Sequence, residues 1–421
     1  MACVSAGAPY DDLSFRRLLS EFLAQLEDFL VFEHWQNRPE EVALQRARVY
    51  RLRQMPREAT SRLSEASADL QQRPWRDASY YLAAYRIQEE KLQQAPARAV
   101  ALNMQEMSDE LGAFFAAELL RNACTALSHQ AVYRTDYRLP YLDAVLADCA
   151  GGRFDRAPVI RLYYLSYRCL THPDAENEFR DLKSLLPGAG RWLPPAELRN
   201  VFTFAVNYCI RRLNTGAEHY LKEVLDLYKA GLLQGVFLEN GVLNRFTFKN
   251  IVAASLKEEE LEWVGSFIRQ YAPLLPQSHR EAYERFALAK VAYQNGDRET
   301  VRSLLHELRS DDVFLDLDAR VLLLKIYFEL GEWRLLRGFL VAFERFVSRK
   351  KMLPYQAPNY RNIIHLTGRL MQWHTEKATY LSEEIEALRQ QILNAQPLTE
   401  RAWLLAQLDR AVRIFSTGAA V

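Results

Sequence analysis

Apolar residues recur at steps of three and four along almost the whole chain, the spacing that gathers side chains on one helix face. Over 13–35 the residues Phe15, Leu18, Leu19, Phe22, Leu26, Phe29 and Leu30 share such a face, and Asn37 and Pro39 mark a stop and a restart. The same period predicts helices at 40–72, 76–94, 98–130, 137–150, 157–171 and 174–186. Beyond Pro194 it becomes more regular, with helices at 195–213, 217–233, 243–256, 258–272, 277–295, 297–309, 313–330, 332–349, 355–375, 377–394 and 398–415. Val/Ile/Thr-rich alternation bounded by hairpin turns is not read anywhere, so the fold class is all-α. Short linkers between helices of this length make neighbours antiparallel.

The chain also repeats itself. Phe202-Thr203-Phe204 returns as Phe246-Thr247-Phe248, and Phe248-Lys249-Asn250-Ile251-Val252 returns as Tyr360-Arg361-Asn362-Ile363-Ile364. The segment Ala289-Lys290-Val291-Ala292-Tyr293-Gln294-Asn295-Gly296-Asp297 aligns with Leu324-Lys325-Ile326-Tyr327-Phe328-Glu329-Leu330-Gly331-Glu332 at an offset of 35. That offset is close to the ~34-residue tetratricopeptide period. A first helix ending in aromatic-x-x-Gly-acidic is followed by a second with regular apolar steps: Val301, Leu304, Leu305 and Leu308, then Leu335, Leu336, Phe339, Leu340 and Phe343. Here the chain resembles the tetratricopeptide family, clearly over 277–349 and more weakly over 195–415. The small residue that the family places in each helix is Ala289 in one unit, but Leu324, Val301 and Leu336 stand at the other such positions. Thr247-Phe248-Lys249-Asn250 also faintly resembles pentatricopeptide repeats.

The resemblance implies an α-solenoid of stacked antiparallel helix hairpins wound as a right-handed superhelix. Each hairpin covers the apolar face its predecessor leaves open. On this reading 1–9 is a flexible tail, 10–152 an N-terminal helical region, and 153–421 the repeat array, closed by a capping helix that carries Trp403, Leu404, Leu408 and Val412.

Composition narrows the function by exclusion. Lys+Arg 54 against Asp+Glu 53 leaves a net charge of +1, so no global field holds the protein on nucleic acid or an anionic membrane. A local excess sits at Arg38–Arg62, where seven Arg face three Glu, and a smaller one at Arg349-Lys350-Lys351. The five cysteines are scattered without a C-x-x-C pair, and the eight histidines include no H-E-x-x-H, so no metal ligand set is expected. No phosphate loop or nucleophile elbow occurs, so neither an enzyme nor a cofactor is expected. The first residues carry no leader pattern and no apolar run approaches ~20 residues, so a cytoplasmic protein is expected.

In tetratricopeptide proteins the first helix of each pair lines a concave groove. The matching positions here are Tyr283, Phe286, Lys290 and Tyr293, then Asp318, Val321, Lys325 and Phe328. Lys290 and Lys325 would lie one above the other, two ammonium groups beside aromatics able to hold an acidic or C-terminal peptide. The expected function is a non-catalytic scaffold binding a peptide or partner helix. Single-stranded RNA binding is the alternative, an unfamiliar enzyme a third reading, and self-association through exposed apolar helix faces a fourth. The oligomeric state stays open.

Overall fold

In the computed structural model, which describes residues 11–94, 100–133, 135–349, 356–375 and 382–416, the helical period becomes helices and its breaks become tight reversals. The tail expected over 1–9 and the pair Lys350-Lys351 lie outside the described residues. Among the described residues the fold is all-α apart from one short hairpin, and the chain divides into two compact units, residues 1–236 and 237–421.

The first unit contains α1 (Asp12–Gln36), α2 (Pro39–Leu52), α3 (Pro56–Gln72), α4 (Ala78–Gln94), α5 (Val100–Tyr133), α6 (Leu142–Ala150), α7 (Pro158–Thr171), α8 (Glu176–Leu185), α9 (Pro195–Asn214) and α10 (Tyr220–Leu233). The single helix expected over 40–72 is two. Gln54 adopts φ 59°, the Met55 amide donates to the Tyr50 carbonyl at 3.0 Å, and Pro56 opens α3. Proline suits a first helical turn, where its missing N–H would have no intrahelical partner. Small residues then let the helices approach: Ala43, Ala47, Ala66 and Ala83 are buried among Leu44, Leu63, Leu70 and Ile87, joining α2, α3 and α4 in one core. Each buried Leu or Ile contributes roughly 1.5–3 kcal/mol. Part of the Arg-rich stretch is internally neutralised, because Arg51 donates to the buried Glu90 at 2.6 Å and Arg48 lies 3.6 Å from the same carboxylate.

The second unit opens on a hairpin, β1 (Leu238–Glu239) paired antiparallel with β2 (Val242–Leu243). Asn240 and Gly241 make its turn at φ 51° and 77°. Such a two-residue turn, with both residues at positive φ, matches the twist of the strands it joins. Asn244 then caps α11 (Arg245–Lys257) by accepting from the Phe246 amide. There follow α12 (Leu261–Tyr271), α13 (Arg280–Gln294), α14 (Arg298–His306), α15 (Val313–Glu329), α16 (Trp333–Arg349), α17 (Gln356–Thr375), α18 (Ser382–Asn394) and α19 (Arg401–Ser416).

Three reversals in this unit are chemically the same. Gly296 (φ 80°) and Gly331 (φ 69°) are left-handed, and the next amides, Asp297 and Glu332, donate to Ala292 and Tyr327 at 3.0 Å. This bond from the second residue past the helix to a carbonyl one turn back ends a helix abruptly. Glu259 (φ 58°) plays the glycine part between α11 and α12, with the Glu260 amide on Ser255. Consecutive helices from α11 to α17 are therefore neighbours where the chain between them is described, and α11 also touches α13, as α13 touches α15. α15 is the interior element: eleven of its seventeen residues are buried, including Leu317, Leu324 and Ile326.

Candidate functional site

The helices α11, α13 and α15 each turn one stripe toward a common cavity of about 350 Å³. The stripes are Lys249, Ala253 and Lys257 on α11, Phe286, Lys290 and Tyr293 on α13, and Asp318, Val321 and Lys325 on α15. Spacings of three and four residues put each set on one face. Thr399 and Glu400, in the turn before α19, close one side.

Six of the eight residues expected along the groove, Phe286, Lys290, Tyr293, Asp318, Val321 and Lys325, come together here. The other two do not. Tyr283 is buried beneath the cavity, where its hydroxyl donates to Asp312 at 2.8 Å. Phe328 is buried edge-on against Trp333, His374 and Trp403. Both are core aromatics that hold the groove helices in place.

The electrostatics of the cavity are uneven. The Lys249 ammonium donates to Asp318 at 2.7 Å. The Lys325 ammonium donates to Glu400 at 2.7 Å and lies 4.7 Å from the centre of the Tyr293 ring. Lys290 stands between them with only the Phe286 ring, 5.7 Å away, against its ammonium; among the described residues no carboxylate bonds to it. Burial pulls its pKa below the ordinary lysine value, against the pull of Asp318 and Glu400 and with help from the like charges Lys249 and Lys325. Four lysines face two carboxylates around this space, so it carries an excess of positive charge.

Behind the cavity a second network fixes the aromatic wall. The Tyr293 hydroxyl donates to Glu329, which also accepts from the Trp403 indole at 2.9 Å. Arg298 pairs with Glu329 at 2.7 Å while covering the Tyr293 ring at 4.4 Å. Burial pushes the Tyr293 phenol well above its usual range, so it remains a donor at neutral pH. At the entry to α15, Asp312 accepts from Tyr283, from Arg245 at 2.9 Å and from the Phe314 and Leu315 amides. Burial alone would raise this carboxyl, but those hydrogen bonds together hold it below the usual carboxylate range.

The sequence pattern singled out Phe248-Lys249-Asn250 as a repeat but not as part of a site, although both Lys249 and Asn250 reach the cavity. Glu400 had no signal at all, since it meets Lys325 from 75 residues away. Among the described residues no group of three His, Cys, Asp or Glu is placed to hold a metal ion, and no helix is long and apolar enough to cross a membrane. No family model, curated protein or solved structure matches this chain.

Proposed function

We propose that the 237–421 unit is a non-catalytic docking scaffold, a tetratricopeptide-like stack of hairpins whose α11, α13 and α15 receive a carboxylate-bearing segment of a protein partner. The observation that carries this reading is Lys290, a desolvated ammonium facing the cavity to which, among the described residues, no carboxylate bonds, while the flanking Lys249 and Lys325 are both paired. Holding a cation in that state is unfavourable unless something anionic arrives. The adjacent Phe286, Val321 and Leu322 offer apolar contact for the residues next to that charge. The recurrence of one turn at Glu259, Gly296 and Gly331, and the contacts from α11 to α13 to α15, support the stacked-hairpin part of the reading.

Fluorescence polarisation with a library of short labelled peptides, each prepared with a free C-terminal carboxylate or acidic side chain and in a neutral amidated form, tests the proposal. Acid-bearing members should bind the full chain, their amidated forms more weakly, and Lys290→Met should weaken the acids at least ~10-fold, as loss of a charge-assisted hydrogen bond of about 1.5–3 kcal/mol requires. Equal binding of acid and amide, or indifference to Lys290→Met, would overturn it. A parallel arm with a random single-stranded RNA pool decides the alternative: tight binding that collapses as salt rises would replace the peptide reading with an RNA one.

A further inference from the structure

We infer that Glu400 is a specificity-determining residue of the cavity between α11, α13 and α15: its carboxylate occupies Lys325, so that a partner segment engages the cavity through one acidic group and gains little from a second. The inference rests on the docking reading above and adds to it the number of charges the ligand carries.

Lys290 and Lys325 stand at equivalent positions of the two repeated segments, 35 residues apart, and both reach the cavity. Each has aromatic rings near its ammonium: Phe286 at 5.7 Å from Lys290, and Tyr293 at 4.7 Å and Trp403 at 5.8 Å from Lys325. What separates them is a carboxylate. Among the described residues none bonds to Lys290, whereas Glu400 Oε2 accepts from Lys325 at 2.7 Å. Glu400 lies outside the repeat, at the end of the turn 395–400 between α18 and α19. That turn is fastened at several points. The Pro397 carbonyl accepts from Asn362 of α17 at 2.8 Å, and the Ala395 carbonyl accepts from Arg401 at 2.6 Å. The Glu400 carbonyl in turn accepts the Leu404 amide of α19 at 3.0 Å. Its side chain is thereby delivered to Lys325 already placed. A tethered group competes at an effective concentration of at least ~1 mM, so a free carboxylate at lower concentration loses Lys325 to it. The Lys325 side chain is only 11% exposed, which leaves little of it for a second acceptor. Asp318 occupies Lys249 in the same way from within the groove wall.

Glu400→Gln tests this without opening the turn, because the amide keeps an oxygen for Lys325 and the main-chain bonds of the turn are untouched. The probes are labelled peptides of one sequence carrying no acid, one acid, or two acids spaced two or three positions apart. Neighbouring helices stand ~8–10 Å apart, and an extended chain advances ~3.3 Å per residue. By fluorescence polarisation the wild-type chain should bind one-acid and two-acid peptides within ~5-fold of each other, since an acid left in solvent contributes little. Glu400→Gln should favour the two-acid peptide by at least ~10-fold, the gain that a second charge-assisted hydrogen bond supplies. Adding Lys325→Met to Glu400→Gln should abolish that preference. A wild type that already favours two acids ~10-fold, a preference in Glu400→Gln that survives Lys325→Met, or an equal gain by the acid-free peptide would each overturn the inference. An unmoved preference in Glu400→Gln, with Lys290→Met still weakening the one-acid peptide, overturns it while the docking reading stands. Failure of every acidic peptide on both proteins sinks the two together.

Discussion

Replacing Lys290 by methionine should make the protein more stable, which is unusual for a change inside a structured cavity. The side chains have similar length and volume, so the contact of the stem with Phe286 is retained and only the charge is lost. That charge sits in a desolvated position between two other ammonium groups, and among the described residues no carboxylate bonds to it. Relief of a largely buried charge that is attracted by Asp318 and Glu400 but bonded to neither is worth about 1–3 kcal/mol, which for a unit of this size raises Tm by about 3–8 °C. The pH dependence has a fixed sign. A lysine whose folded-state pKa is depressed destabilises the fold fully below that pKa, and the penalty disappears as pH rises toward the unfolded value of 10.5. The gap in Tm between Lys290→Met and wild type should therefore be widest near neutral pH and narrow in alkaline buffer. Differential scanning fluorimetry across that range measures it. A variant that melts at or below wild type at neutral pH, or a gap that does not change with pH, would refute the claim that the Lys290 charge costs stability where it is held.

Two further outcomes check the framework of the cavity. Asp312→Ala removes the cap of α15 and strands the Tyr283 hydroxyl and the Arg245 guanidinium, so it should cost about 2–4 kcal/mol by chemical denaturation, with Tyr283→Phe costing about 1 kcal/mol. His374 stacks on Trp333 at 5.0 Å, and burial with the nearby Arg410 holds its pKa below the usual 6.5. The unfolded chain then takes up this proton first, so stability falls as pH drops below 6.5 toward the folded value; acid titration of Tm should show a smaller fall for His374→Gln than for wild type.

The helices were legible because their signal is local. From 157 onward the expected and observed segments agree within a few residues, and the α13–α14 and α15–α16 hairpins were marked by Gly296 and Gly331. The reversal at Gln54 was invisible because its left-handed position carries a residue with no turn signature of its own, whereas the one at Glu259 showed as a break in the helical period between 256 and 258. The Asn240-Gly241 pair is a strong hairpin signal, but its strands are only two residues long, too short for any alternation of Val, Ile or Thr to show. The cavity was half legible. An offset of 35 places Lys290 and Lys325 on equivalent faces, but it says nothing of which lysine is neutralised, because Asp318 and Glu400 come from 69 and 75 residues away in sequence. Tyr283 and Phe328 share the stripe yet serve the core, one drawn under Asp312 and the other covered by Trp403 of α19.

That distribution of ion pairs also bears on the kind of partner the cavity suits. A nucleic-acid strand is held by several free cations spaced along its phosphates, each adding to affinity and to its salt dependence. Here Lys249 of α11 and Lys325 of α15 already have carboxylate partners at 2.7 Å, and a second anion would have to compete with Asp318 or Glu400 for each of them. Among the described residues Lys290 and the exposed Lys257 have no carboxylate bonded to them, and a single carboxylate placed beside Lys290 would bring Lys249, Lys290 and Lys325 to three cations against three anions. The geometry thus favours a ligand with one well-placed negative charge and apolar neighbours over a polyanion. Affinity should then depend on what sits beside that charge, against Phe286 and Val321, more than on how many charges follow it.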